Sequence, residues 1–156
     1  IMKEKIPKKI VKILNIVLRI SLVVGTILLL TLWKWLELLN VKFDLLVFLI
    51  YPAGILFLGL IIQFIKLFNQ FNAEKSFHLT TVRHLKNASR ISFVISIITF
   101  LALLLSIFIY PTYTLTLKIS LTFFTILFIG VGIALYLLAE LFRQATEFKE
   151  ENDLTI

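Results

Sequence analysis

Residues 45–65 read LLVFLIYPAGILFLGLIIQFI, and this stretch decides the fold. It carries no charge from Leu45 to Ile65. At 1.5 Å rise per residue a helix of this length covers the ~30 Å hydrocarbon core of a bilayer. Three further blocks lie around it. Ile13–Trp33 is interrupted only by Asn15 and Arg19, Ile91–Tyr110 is uncharged, and Ile119–Ala139 is uncharged until Glu140. Backbone groups in lipid must pair within their own segment, which selects helices over open sheet. A barrel needs ~10-residue alternating strands, and these blocks do not alternate. The expected fold is all-α: an integral membrane four-helix bundle in one domain over residues 1–156. Its spans fall at about 13–33, 45–65, 91–110 and 119–139, and an acidic tail follows at 140–156.

Composition agrees. The chain is 60% hydrophobic with mean hydropathy +1.01, against ~45–50% apolar for a soluble domain. A small soluble core cannot hide that excess. Five Gly and three Pro exclude a Gly/Pro-rich coil, and the lack of Cys excludes disulfides and thiolate metal sites. The formal charge of +7 does not point to direct nucleic-acid binding, because the cations flank apolar blocks rather than cover one face. Lys3, Lys5, Lys8 and Lys9 precede the first block as in a signal peptide. That block is too long and lacks a small-residue cleavage pattern, so it reads as a retained span.

The connections set the expected topology. Trp33-Lys34-Trp35 suits a headgroup belt, and Tyr110-Pro111-Thr112-Tyr113 makes a tight turn. The connection 34–44 is short, and the longest runs from Lys66 to Arg90. Lys3, Lys5, Lys8, Lys9, Lys12, Lys66, Lys75, Arg83, Lys86, Arg90, Arg143 and Lys149 fall on one side; Lys34, Lys42 and Lys118 fall on the other. Twelve against three predicts cytoplasmic termini, short external loops and a longer, basic cytoplasmic loop between helices two and three. Within that loop Ser76 or Thr80 is a candidate cap for a basic helical segment, 80–90, that runs into the third span. Arg83, Lys86 and Arg90 either snorkel there or offer a docking surface to an acidic partner or anionic lipid.

Arg19 is the one cation inside a block. Lys8, Lys12, Asn15 and Arg19 share a helix face by their four-three-four spacing. A cation at the bilayer centre costs roughly 2.5–3.5 kcal/mol on insertion scales. Glu140, at the cytoplasmic end of the fourth span, is the expected partner, and an Arg19–Glu140 pair would clasp the first helix to the fourth. Ser89, Ser92, Ser96, Thr99 and Ser106 share a face of the third span, and Thr122, Thr125, Gly132 and Ala139 a face of the fourth. Small and hydroxyl residues so placed predict close helix packing. Pro52, beside Tyr51 and Gly54, predicts a kink.

Spans two to four hold no ionisable group at mid-membrane, which argues against a proton-coupled transporter. His78 and His84 lack the neighbours a metal site needs. No span contains the His that haem ligation would use, so no metal or cofactor is expected. Neither a Ser-His-Asp set, a phosphate-binding loop nor a carboxylate dyad occurs, and an enzyme is not expected. In the tail, Leu141, Ala145 and Phe148 extend a helical stripe among acidic residues. Glu147, Glu150, Glu151 and Asp153, with Arg83, Lys86 and Arg90, are the candidate partner-binding residues; a solvated helix end is the plainer reading.

Leu141-Phe142-Arg143-Gln144-Ala145, followed by Phe148-Lys149-Glu150-Glu151-Asn152-Asp153-Leu154-Thr155-Ile156, resembles the C-terminal signature of the bacterial membrane family known as domain of unknown function 2975. Glu150 to Ile156 is its most specific part, and Val82-Arg83-His84-Leu85-Lys86 also fits. The resemblance implies a four-span protein of no assigned activity in the bacterial cytoplasmic membrane, often encoded beside a very small helix-turn-helix regulator. The expected function is therefore non-enzymatic: regulation, immunity or stress protection through a cytoplasmic partner such as that regulator. The alternative is a small transporter or a subunit binding lipid or another hydrophobic ligand. Membrane lipids and a second copy of the chain complete the candidate partners.

Overall fold

The computed structural model describes residues 8–38, 45–72, 78–109, 111–112 and 115–154. Lys3, Lys5, Lys42, Lys75, Ser76, Tyr110, Tyr113, Thr155 and Ile156 lie outside the described residues, as do the side chains of Trp33, Trp35, Asp153 and Leu154. Four α-helices account for most of what is described: α1 Lys8–Leu38, α2 Leu45–Asn72, α3 Leu79–Phe108 and α4 Leu115–Leu154. Each contains one apolar block, and each is long and apolar enough to cross a membrane. Their outward surfaces are apolar too: Ile20 and Val23 of α1, Phe48 and Ile55 of α2, Ile97 of α3, and Phe123 and Ile126 of α4 are all exposed. So large an apolar exterior calls for lipid as its solvent. The protein is a multi-pass membrane protein.

The helices are not equivalent. α3 packs against both α2 and α4, whereas α1 lies against α2; among the described residues its backbone approaches no other helix. Aromatic rings close the remaining side of the α2–α3–α4 triangle. Phe57 meets Phe128 at 6.1 Å and Phe71 meets Phe142 at 6.0 Å, both edge to face. Leu60, Leu67, Leu85, Ile95, Phe128 and Leu135 fill the core between them.

The α3–α4 seam follows from residue size. On α4 the buried positions from Leu121 to Ala139 are Leu121, Thr125, Phe128, Gly132, Leu135 and Ala139, alternating four and three apart, and Thr146 follows seven further on. On α3, Leu85, Ser92, Thr99 and Ser106 are buried at intervals of seven, as are Ala88, Ile95 and Ala102. This seven-residue repeat is the pattern of knobs-into-holes packing. Small residues let the backbones close in: the Ser89 hydroxyl donates to the Gly132 carbonyl at 2.8 Å. Thr125 donates to Thr99 at 3.0 Å. Ser92, Ser96 and Ser106 each donate to a carbonyl three or four residues back, so among the described residues no buried hydroxyl enters the apolar core unpaired. Thr122 departs from the expected face: it is exposed and bonds to the carbonyl of Lys118. It lies three residues before the buried Thr125, but the seam steps back by four, to Leu121.

α1 meets α2 through two reciprocal leucine–glycine contacts. A β-carbon at Gly25 would stand 3.0 Å from Leu58, and one at Gly54 would stand 2.5 Å from Leu29. Gly54 therefore serves α1 packing. α2 runs as one helix from Leu45 to Asn72 through Pro52.

Candidate functional site at the charged end

Antiparallel packing gathers the start of α1, the end of α2, the start of α3 and the end of α4 at one end of the bundle. Three cross-helix bonds fix this register: Asn15 to Asn69, His84 with Gln63, and Ser89 to Gly132. Most of the described charge lies there. The other end holds Lys34, Glu37 and Lys118 among the described residues.

Arg19 does not reach Glu140. Its Nε donates to Asn15 Oδ1 at 3.0 Å, and Asn15, itself buried, donates to Asn69 Oδ1 at 2.5 Å. Of the polar stripe on α1, Asn15 thus turns toward α2, while Lys8, Lys12 and Arg19 are exposed. Glu140 is taken by its own helix: Arg143 donates from Nε at 3.0 Å and from Nη2 at 2.5 Å to Oε1, and its Nη1 bonds to Glu147. The expected clasp fails for two reasons. α1 does not neighbour α4, and a cation one turn along α4 reaches Glu140 with little rearrangement. From α3, Lys86 is close enough to act electrostatically on Glu140.

Arg83 and Arg90 are exposed and Lys86 is half-buried. Thr80 is not the cap of α3. His78 occupies that position, its carbonyl accepting from the Thr81 amide at 2.9 Å, while Thr80 bonds to Gln70 at 3.5 Å. His84 shares a 2.9 Å hydrogen bond with Gln63. Among the described residues no group of three or more His, Asp or Glu converges on a metal position.

The tail continues α4 as helix to Leu154. Glu147, Phe148, Lys149, Glu150 and Glu151 are exposed on it. Leu141 is 62% and Phe148 66% exposed, so the stripe they share with Ala145 faces outward, while Phe142 packs on Phe71.

Toward the opposite end, a cavity of about 210 Å³ opens between α2, α3 and α4, lined by Leu49, Ala53, Thr99, Ala102, Ser120 and Phe124. Nothing in the sequence reading found it, nor the roles of Asn69 and Gln63. A polar residue close to the end of a long apolar block was the available signal for the latter two.

The family model described as protein of unknown function (DUF2975) matches residues 33–156. The chain belongs to this family. The DUF2975 segment takes in α2, α3 and α4, hence the packed triangle, the basic start of α3 and the helical tail; most of α1, with Asn15 and Arg19, precedes it. No curated protein and no solved structure matches this DUF2975 member.

Proposed function

We propose that this protein works without catalysis, as a membrane-anchored receptor for a cytoplasmic protein that engages its charged end. The reading places both termini and the α2–α3 connection in the cytoplasm, following the excess of Lys and Arg on that side. One observation carries it. α4 runs on as an exposed helix beyond its apolar block, with Leu141 and Phe148 outward beside Glu147, Glu150 and Glu151. An amphipathic helix face of this kind suits docking into a partner's groove. The exposed Arg83 and Arg90 offer opposite charge nearby.

The partner favoured by the family resemblance is a small helix-turn-helix regulator, held at the membrane or signalled to from it. A non-catalytic role is supported by where the titratable groups sit. Among the described residues Glu140, Arg143 and Glu147 pair along α4 and Arg19, Lys66, Arg83 and Arg90 are exposed, while the cavity near the other end is lined by apolar side chains, Thr99 and Ser120. The test is co-purification of the neighbouring regulator with the full chain and with a chain ending at Thr146. Loss of association on truncation is the expected result; undiminished association overturns the assignment to the tail.

The cavity favours a second reading, a subunit that binds a hydrophobic ligand. An apolar space of about 210 Å³ between three helices admits part of an acyl chain. Filling it with Ala102→Phe would then displace the ligand from the purified protein.

A further inference from the structure

Arg19, Lys66 and Arg83 come from three different helices, yet they stand at one level. The α1–α2 register, with Asn15 on Asn69 and Gly25 on Leu58, puts Arg19 opposite residues just short of Lys66. The α2–α3 register, with Gln63 on His84 and Gln70 on Thr80, puts Lys66 opposite Arg83. His84, between them, feels the charges of both Lys66 and Arg83. Lys66 is three residues from Asn69, which faces α1, and three from Gln63, which faces α3. It therefore projects between the two contact faces of α2, into the notch between α1 and α3. All three cations are exposed.

This level is also the edge of the apolar layer, because the charge-free stretch of α2 ends at Ile65. Arg19 is thus at headgroup depth. Its guanidinium has five N–H donors, and Asn15 takes the one on Nε. Among the described residues nothing bonds to the two Nη groups, which form an open fork held in orientation by an amide that is itself buried and braced by Asn69. Such a fork matches two oxygens of a phosphate. Among the described residues no carboxylate lies on α1 or α2 at this end. Further into the bilayer on the same face of α2, Gly59 has open space before it and Ile62 is exposed, which leaves a track for an acyl chain.

We propose that Arg19, Lys66 and Arg83 form a headgroup site for one anionic phospholipid, with its phosphate in the Arg19 fork and Lys66 and Arg83 compensating its charge. Arg83 also borders the surface proposed for the partner of the α4 tail, but Arg19 and Lys66 take no part in that surface, so variants at these two test the lipid site alone.

The experiment uses the full chain in nanodiscs of phosphatidylcholine containing about one-fifth phosphatidylglycerol, with retained lipid counted by native mass spectrometry. Wild type should keep one phosphatidylglycerol in preference to phosphatidylcholine. Arg19→Gln with Lys66→Gln should weaken retention about tenfold, the loss of roughly one charge-assisted contact. Lys118→Gln with Lys149→Gln removes the same charge elsewhere and should leave retention unchanged. Arg19→Lys keeps the charge but loses the fork, so retention should fall to an intermediate value; this variant also serves if the double change fails to fold. Equal retention by wild type and Arg19→Lys overturns the proposal, as does equal loss in both double variants. Displacement of the lipid by millimolar inorganic phosphate would show a free-anion site and overturn the lipid assignment.

Discussion

Ser89 of α3 donates its hydroxyl to the backbone carbonyl of Gly132 in α4 at 2.8 Å, a contact open only to helices whose backbones nearly touch. A β-carbon at Gly132 would meet the ring of Phe93 at 3.1 Å. Gly132→Val should therefore destabilise the bundle by about 1–3 kcal/mol, the usual range for overpacking. Gly132→Ala should cost less, since the ring edge need yield only slightly. Gly130 has open space around it, and Gly130→Ala should be neutral or stabilising by up to about 1 kcal/mol through helix propensity. Thermal unfolding in detergent of the three variants separates packing from propensity.

Thr99 and Thr125 form a buried pair across the same seam at 3.0 Å. Thr99 donates its own proton to the carbonyl of Ser96, and the single hydroxyl proton of Thr125 is shared between Thr99 and the carbonyl of Leu121. The interhelical share should therefore be small. A double-mutant cycle with Thr99→Val and Thr125→Val should give a coupling near 0.6 kcal/mol and below about 1.7 kcal/mol. A value near zero would mean that the hydroxyls serve their own helices alone.

Arg19 and Glu140 belong to helices that do not neighbour each other, so their mutations should add. Arg19→Glu combined with Glu140→Arg should show no rescue beyond about 0.3–0.5 kcal/mol, the usual scatter for independent sites. Glu140→Gln alone should loosen Arg143 with little effect on the unfolding temperature, because an i,i+3 ion pair open to solvent contributes little. The chain has no native cysteine, which makes crosslinking clean. Leu29→Cys should join Gly54→Cys on mild oxidation, and Arg19→Cys should not join Glu140→Cys.

Asn15 bridges Arg19 and Asn69 and is the polar anchor between α1 and α2. Asn15→Leu should leave Asn69 and Arg19 without that partner and loosen α1 from the triangle. Limited proteolysis in detergent would then release α1 faster, while the α2–α4 fragment stays resistant. Equal protection of α1 in the variant would show that the leucine–glycine contacts suffice.

Four helices were legible in the sequence because hydropathy is a property of each segment by itself. The serine face of α3 was legible too, since spacing alone puts Ser89, Ser92, Ser96, Thr99 and Ser106 on one side. Which helices become neighbours was not. Periodicity gives a face but not what it faces, so depth alone pairs Arg19 with Glu140, whereas Asn15, four residues away, accepts its hydrogen bond. Thr122 falls off the seam because a run of hydroxyls fits either of two adjacent faces until the large residues, Leu121 and Phe128, fix it. At the candidate site the charges were visible, but their common level was not. That level depends on register between helices, set by contacts such as Leu58 on Gly25 and Gln63 on His84.

The repeat that joins α3 to α4 has a mechanical consequence. Interlocked side chains resist gradual sliding, so α4 can change its position along α3 only by jumping to the next set of holes, about 5.4 Å for one turn. A pull on its projecting end would therefore reach the far side of the bundle undiminished, carried by a rod that cannot creep past its neighbour.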